Sequence, residues 1–104
     1  MPAYRKKTGV VDIIFLDSLI EGYRLNQPLP LTIKAHSKVC EAIYHDQNIF
    51  FNAVGTNKDS AVENFKMKIV QLYEQYRIME ENEGEIQEYL KSESEFIKRI
   101  VAKE

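Results

Sequence analysis

The sequence lacks tryptophan and has one cysteine, Cys40, among its 104 residues. A single cysteine excludes an intrachain disulfide framework and is typical of a reducing compartment. No stretch approaches the roughly 20 apolar residues that a membrane-spanning helix needs. Asp12 and Asp17 interrupt the apolar run that begins at Val10, and no small-residue cleavage site follows it, which argues against a secretion signal. We therefore expect a cytoplasmic protein that does not enter a membrane.

A strong excess of either charge is also lacking. Fourteen Lys and Arg residues stand against 16 Asp and Glu residues, which gives a formal net charge of −2. Such a balance supplies no general field that would draw the chain to nucleic acid or to an anionic membrane. Residues 80–104 contain no basic recognition helix and no ribbon-helix-helix pattern. We expect no direct binding to nucleic acid.

What the sequence does contain is the composition of an ordinary globular domain. Hydrophobic residues make up 44% of the chain and charged residues 29%, so the chain is too apolar to be disordered. A chain of this length forms one domain, which leaves little room for a deep cleft between two lobes. We expect the core to be aliphatic, with Tyr and Phe at its margins.

Dense β-branched residues and a period-two alternation predict four strands. The predicted strands cover residues 10–16, 31–36, 40–44 and 49–54. Residues 16–20 are also compatible with one helical turn after the first strand, whereas Pro28 and Pro30 break any helix at residues 26–30. Because short turns join the last three strands, we expect an antiparallel meander to which the first strand is added. Such a sheet needs a cover on one face, and its outermost strands are exposed templates for a strand of another chain.

The clearest pattern in the sequence is one apolar helical face. Its members alternate at intervals of three and four: Val62, Phe65, Ile69, Leu72, Tyr76 and Met79. This spacing predicts a long amphipathic helix whose apolar side covers the sheet. Asn57 is the predicted N-cap, and Asp59 in the first turn is favoured by the helix dipole. We expect the helix to end near residues 82–84, because Asn and Gly tolerate the left-handed conformation at helix ends.

A second, shorter amphipathic helix is predicted beyond this break. Its apolar residues are Ile86, Tyr89, Leu90, Ile97, Ile100 and Val101. Either this helix folds back on the same core, or it packs against a second copy or another partner. We favour the second interpretation, because the domain offers few other apolar surfaces. The predicted partner-binding residues are Tyr89, Phe96 and Ile97, and deletion of residues 83–104 is then expected to leave a folded monomer.

The predicted organisation of the chain has three parts. Residues 1–8 form a flexible basic tail, residues 9–80 form an α+β domain, and residues 81–104 form a carboxy-terminal helix for oligomerisation or partner binding. The predicted fold class is α+β, a three- to four-stranded antiparallel meander covered by one long amphipathic helix.

No set of residues indicates catalysis or metal binding. His36, Cys40, Glu41 and His45 include the donors that zinc prefers, but their spacing matches no standard ligand pattern. The carboxylates in or beside the predicted strands do not form the converging set that a two-metal nuclease needs. The sequence has no glycine-rich phosphate loop, nucleophile elbow or Cys/His dyad. We therefore expect a non-enzyme without a metal or cofactor.

The segment from Gly55 to Lys66 resembles the amino-terminal domain of HicB-like antitoxins. In that family a glycine ends the third meander strand, a polar cap and an acidic first turn follow, and a helix begins with a characteristic run. The residues that match this run are Ala61, Val62, Glu63, Asn64, Phe65 and Lys66. The stretch 28–33 is similar to the start of the first meander strand in short family members. The resemblance covers residues 10–79.

Two positions depart from the family pattern. The second meander strand, at residues 39–44, lacks the usual glycine and keeps only the aromatic Tyr44. Ser60 replaces the usual glutamate at the third helical position, and we expect this change to remove the reciprocal bond of a capping box.

The resemblance implies a partial ribonuclease-H-like sheet without nuclease carboxylates, which binds and blocks a small RNA-cleaving toxin. The mechanism expected from it is steric occlusion of the toxin's active surface. The alternative is a structural homodimer of the same fold without a toxin partner. In both cases we expect a homo-oligomer, with a dimer as the simplest form.

Overall fold

The structure, a computed structural model, describes residues 9–46, 49–83 and 87–104. It is an α+β fold in which a four-stranded antiparallel sheet packs against a long helix, with a shorter helix near the carboxyl end. Its strands are β1 (Gly9–Leu16), β2 (Tyr23–Leu25), β3 (Leu29–Ala35), β4 (Cys40–His45), β5 (Phe50–Gly55) and β6 (Val101–Lys103). Its helices are α1 (Lys58–Glu83) and α2 (Lys91–Ile100), and a 3₁₀ turn at Glu88–Leu90 precedes α2. The predicted fold class is confirmed. The predicted tail at residues 1–8, the turn residues 47 and 48, and Ile86 lie outside the described residues.

The main sheet has the strand order β1-β3-β4-β5, and all of its neighbours are antiparallel. β3, β4 and β5 form the predicted meander, and β1 is added beside β3. In β3 the apolar residues at positions 29, 31 and 33 are fully buried, whereas the residues between them are exposed or half-buried. Because side chains alternate between the faces of a strand, this pattern means that one face of the sheet is covered.

The long helix α1 supplies part of this cover. It packs over β5 and β4. Phe65, Ile69 and Tyr76 are buried, and the other three members of the predicted apolar stripe are partly buried against the same core. The predicted stripe is therefore the side of α1 that faces the sheet.

The beginning of α1 is held by a reciprocal pair of hydrogen bonds. The Ser60 N–H donates to Asn57 Oδ1 over 2.9 Å, and the Asn57 N–H donates to Ser60 Oγ over 3.1 Å. This arrangement is a capping box in which a serine hydroxyl takes the place of a glutamate carboxylate. Asn57 is the cap, as predicted. The expectation that Ser60 loses the reciprocal bond is wrong, because its hydroxyl reaches the Asn57 N–H.

The second helix folds back on the core of its own domain. Phe96, Ile97 and Ile100 of α2 are at most 3% exposed. The Phe96 ring stacks on Tyr44 and Phe51, with ring centroids 5.2 and 6.1 Å apart respectively. The expectation that aromatic residues lie only at the margins of the core is therefore wrong, because this stack fills the space between α2 and the sheet.

Side chains of the two helices also bond to each other. The Tyr76 hydroxyl donates to the Glu93 carboxylate, and Lys98 forms an ion pair with Glu80. Burial, together with the Glu93 carboxylate, raises the pKa of Tyr76, so its hydroxyl stays a donor at neutral pH. Both pairs hold α2 against α1.

A second, two-stranded sheet is formed by β2 and β6, and the sequence did not predict it. Leu25 pairs with Val101, and Tyr23 pairs with Lys103, in antiparallel register. Val101, expected in the second helix, is the first residue of β6, because the chain leaves the helix after Ile100 to pair with β2. This pairing fixes the carboxyl end against a segment near the start of the fold.

Glu74 on α1 ties this small sheet to the long helix. Its carboxylate accepts hydrogen bonds from the Tyr23 hydroxyl and from Arg77 Nη2, each over 2.6 Å, and Lys103 Nζ lies 3.2 Å away. The Glu74 side chain is 23% exposed. The hydrogen bonds from Tyr23 and Arg77 lower the pKa of Glu74 to about 2. The charged carboxylate is therefore the form that the fold favours.

This low pKa predicts an acid-dependent loss of stability. In the unfolded chain the pKa of Glu74 is near its ordinary value of 4.5. Because the pKa is lower in the folded state, the stabilisation is complete above about pH 5 and is lost as the pH falls toward about 2. We expect Glu74→Gln to flatten the fall in unfolding free energy over this interval, as measured by urea unfolding at a series of pH values. Parallel pH profiles for the two proteins would contradict this account.

Candidate protein-binding surface

The face of the main sheet that lies opposite α1 and α2 carries large exposed apolar side chains. The exposed fractions are 61% for Ile13, 69% for Phe15, 55% for Phe50 and 50% for Val54. Ile13 pairs with Thr32 and Phe15 with Pro30, so both alternate with the buried residues of the sheet. We call this surface the open face and define it by these four residues with the half-buried Ile43 between them. Polar residues, Thr32, His45 and Asn52, lie between them on the same face. Large apolar side chains grouped on one exposed face are typical of an interaction site, whereas singly scattered ones are not.

A polar cluster lies beside these apolar residues. Glu41 Oε1 is 2.8 Å from His36 Nε2, and Glu41 Oε2 accepts a hydrogen bond from Asn52 Nδ2 over 2.8 Å. The hydrogen bond from Asn52, followed by the one from His36, lowers the pKa of Glu41. A carboxylate with both oxygens engaged and a lowered pKa is a poor general base at neutral pH. Glu41 therefore fixes the loop before β4 to the sheet.

Cys40 and His45, the other two residues weighed as metal ligands in the sequence, are not part of this cluster. Cys40 precedes Glu41 in β4, so it points to the covered side, where it is partly buried against the core. His45 is exposed, and its ring is nearly perpendicular to the Phe50 ring, with centroids 5.9 Å apart. Across the part of the chain that the structure describes, no group of three or more His, Cys, Asp or Glu side chains is arranged to hold a metal ion.

The two edges of the sheet differ in how they are protected. On the β5 edge, Asn64 Nδ2 donates to the Val54 carbonyl over 2.8 Å, and Lys68 Nζ donates to the Asn52 carbonyl over 2.9 Å. Side chains of α1 therefore occupy two outward acceptors of this strand. Both outermost strands were predicted to be exposed templates for another chain. The one at residues 49–54 is instead partly covered by side chains of α1.

On the β1 edge, one backbone group bonds to a side chain among the described residues. Asp12 Oδ1 accepts the Ile13 N–H over 2.9 Å, while Asp12 Oδ2 is 2.8 Å from Lys58 Nζ at the start of α1. These two donors, Lys58 first, lower the pKa of Asp12. The ion pair is exposed and contributes little stability. Its effect on the edge is to neutralise the one charge in the β1 sequence.

The residues predicted to bind a partner are separated by the fold. Tyr89 is 78% exposed on the 3₁₀ turn, whereas Phe96 is 3% exposed and Ile97 is fully buried. Phe96 and Ile97 hold α2 to its own core, because α2 presents them to the sheet and to α1. They are therefore not accessible to a partner in the folded domain, and Tyr89 is the one residue of the three at the surface.

The open face was missed by the sequence reasoning, although a signal for it was present. Phe15 and Phe50 lie in predicted strands, and they alternate with residues that the structure buries. Deciding for each strand which alternate residues face the predicted helix would have placed these aromatic residues on the opposite face.

Comparisons with protein-family models, with curated proteins and with solved structures gave no match to this chain. Within the described residues, none of the helices combines the length and apolarity needed to cross a membrane.

Proposed function

We propose that the chain is a non-catalytic protein-binding module that acts as a HicB-like antitoxin, neutralising a small RNA-cleaving toxin by covering its active surface. The observation that carries this proposal is the open face, where Ile13, Phe15, Phe50 and Val54 are all at least half exposed. Large exposed apolar side chains are typical anchors of protein–protein interfaces. The resemblance of residues 55–66 to the HicB-like helix start gives the class of partner.

The details of the fold are consistent with binding rather than chemistry. Glu41, the open-face carboxylate, has both oxygens occupied by His36 and Asn52. Gly55 and Asn57, which belong to the segment that resembles the family, lie at the end of β5 and at the capped start of α1. Ser60, where the sequence departs from that pattern, still completes the capping box. The occupied Glu41 carboxylate favours a surface that binds another protein over a catalytic site.

A pull-down with variants of matched exposure tests this proposal. The tagged full chain is expected to retain a small basic protein in stoichiometric amount from its native cytosol, and that protein should cleave RNA only when it is released. The double variant Phe50→Asp, Val54→Asp should lose this partner, because buried unpaired charges oppose association. Met67, which is 47% exposed on α1, provides the control variant Met67→Asp, which should keep the partner. A retained partner without RNA-cleaving activity would overturn the antitoxin role, and equal losses in both variants would overturn the assigned surface.

The second candidate function is a structural homodimer without a toxin. The observation that favours it is the β1 edge, where the described residues show no helix side chain bonded to an outer carbonyl as Asn64 and Lys68 are on β5. A purified protein that forms a stable dimer and retains no RNA-cleaving protein would support this candidate over the first.

A further inference from the structure

The direction of the backbone groups in β1 follows from the bonds at the opposite edge. The carbonyls of Asn52 and Val54 point away from β4, since side chains of α1 donate to them. Backbone groups in an antiparallel sheet alternate between the two neighbours of a strand. We apply this alternation strand by strand through the observed registers of β4 and β3. The backbone N–H and C=O of Ile14 then point toward β3, and those of Ile13 and Phe15 point away from the sheet.

Two independent observations agree with this assignment. The Ile13 N–H donates to the Asp12 side chain rather than to β3, as an outward group does. Pro30, which has no N–H, lies opposite Phe15 at a position where the β1–β3 ladder needs no donor. The outer edge of β1 therefore offers the carbonyls of Ile13 and Phe15 and the Phe15 N–H to an added strand.

We propose that this edge pairs with β1 of a second copy of the chain, antiparallel about a two-fold axis at Ile14, to give a continuous eight-stranded sheet. In this arrangement Ile13 of each copy lies opposite Phe15 of the other. Each such pair exchanges two backbone hydrogen bonds. The open faces of the two copies then lie on the same side of the joined sheet, and the axis makes the interface self-complementary.

The sequence of β1 is the argument for a second copy over an unrelated strand. A strand added at this edge must be apolar on the open side, to meet Ile13 and Phe15, and apolar on the other side, to continue beside Ile14 and Leu16. β1 meets both requirements, because its side chains at these four positions are large and apolar. Asp12, the one charged residue of β1, would lie opposite Leu16 of the second copy, so no like charges are opposed.

Asp12 has a defined part in this pairing. In the single copy its Oδ1 holds the Ile13 N–H, and its Oδ2 holds Lys58. For Ile13 to donate to Phe15 of the second copy, its N–H must leave Oδ1, while the ion pair with Lys58 stays in place. Asp12 therefore competes with the second strand and moderates the affinity of the edge.

The first test is the oligomeric state of the purified full chain without any partner, measured by light scattering and sedimentation velocity. We expect a dimer. Phe15→Lys should weaken the dimer about tenfold or more, because it places two like charges diagonally across the new strand pair. Phe50→Lys, a change of the same kind on the open face at the β5 edge, should leave the dimer unchanged. A wild-type chain that stays monomeric would overturn the proposal, and so would a dimer that only Phe50→Lys dissociates.

Amide hydrogen exchange gives a second test that needs no variant. The Phe15 N–H is expected to exchange more slowly as the protein concentration rises, because it gains the Ile13 carbonyl of the second copy. The Ile14 N–H, turned toward β3, should be protected at all concentrations and serves as the internal control. A rate at Phe15 that is independent of concentration in a dimeric sample would place the interface elsewhere. Neither measurement involves a toxin, so the dimer can stand if the antitoxin role fails.

Discussion

Replacing Ile97 by alanine is expected to lower the free energy of unfolding by about 2–5 kcal/mol, the cost of removing a large aliphatic side chain from a packed core. Ile97 is fully buried where α2 meets the core. The loss is a large fraction of the roughly 5–15 kcal/mol by which domains are stable. Urea unfolding followed by circular dichroism measures it.

Glu95→Ala on the exposed side of the same helix is the matched control and should change the stability by no more than about 0.5 kcal/mol. Deletion of residues 91–104 should abolish folding, since it also removes Phe96, Ile100 and the strand that pairs with β2. This expectation replaces the earlier one of a folded monomer after deletion of residues 83–104. A deletion variant with a cooperative unfolding transition would show that α2 is not part of the core.

Gly55→Ala is expected to lower the free energy of unfolding by about 1–3 kcal/mol or more, the usual cost of overpacking. A Cβ at this position would press on Ser60 Oγ and on the backbone N of Ala61, and would lie 2.6 Å from the Ser60 carbonyl carbon. Two of these three atoms belong to the backbone of the first turn of α1, so they cannot move aside without shifting the helix on the sheet.

Thr56→Ala, at the exposed neighbouring position, is the control for Gly55→Ala and should leave the stability nearly unchanged. Thermal unfolding by calorimetry compares the two variants. If the Gly55 variant has the same melting temperature as the wild type, α1 does not approach the end of β5 as closely as the structure shows.

The parts of the fold that the sequence predicted are those whose signal is local. The stripe from Val62 to Met79 repeats over five intervals, so the helix and its buried side were both identified. The strands of the meander were identified from alternation and turns. β2 and β6 were missed because each has only three residues and exists through pairing with the other. No pattern within either segment carries information about a partner so distant along the chain.

The role of the predicted partner-binding residues could not be read from the sequence, because it also depends on distant contacts. Phe96 and Ile97 are apolar residues on a short amphipathic helix, and the helical period indicates that such a side is buried without indicating what buries it. The choice between the core of the same domain and a second chain depends on tertiary packing. Here the rings of Tyr44 and Phe51 provide the surface that receives Phe96. The open face, in contrast, follows from strand parity and was within reach of sequence reasoning.

The pairing of β2 with β6 has a consequence for synthesis of the protein. The buried Leu25 pairs with Val101, and the Glu104 N–H donates to the Gly22 carbonyl over 2.9 Å. Residues 23–103 must therefore all leave the ribosome before the core can close, and the contacts that close it are among the most distant in sequence. Until then the nascent sheet is uncovered on the side that α2 later occupies. The interval between translation of β1 and translation of β6 is thus when this protein is most exposed to aggregation and most dependent on chaperones.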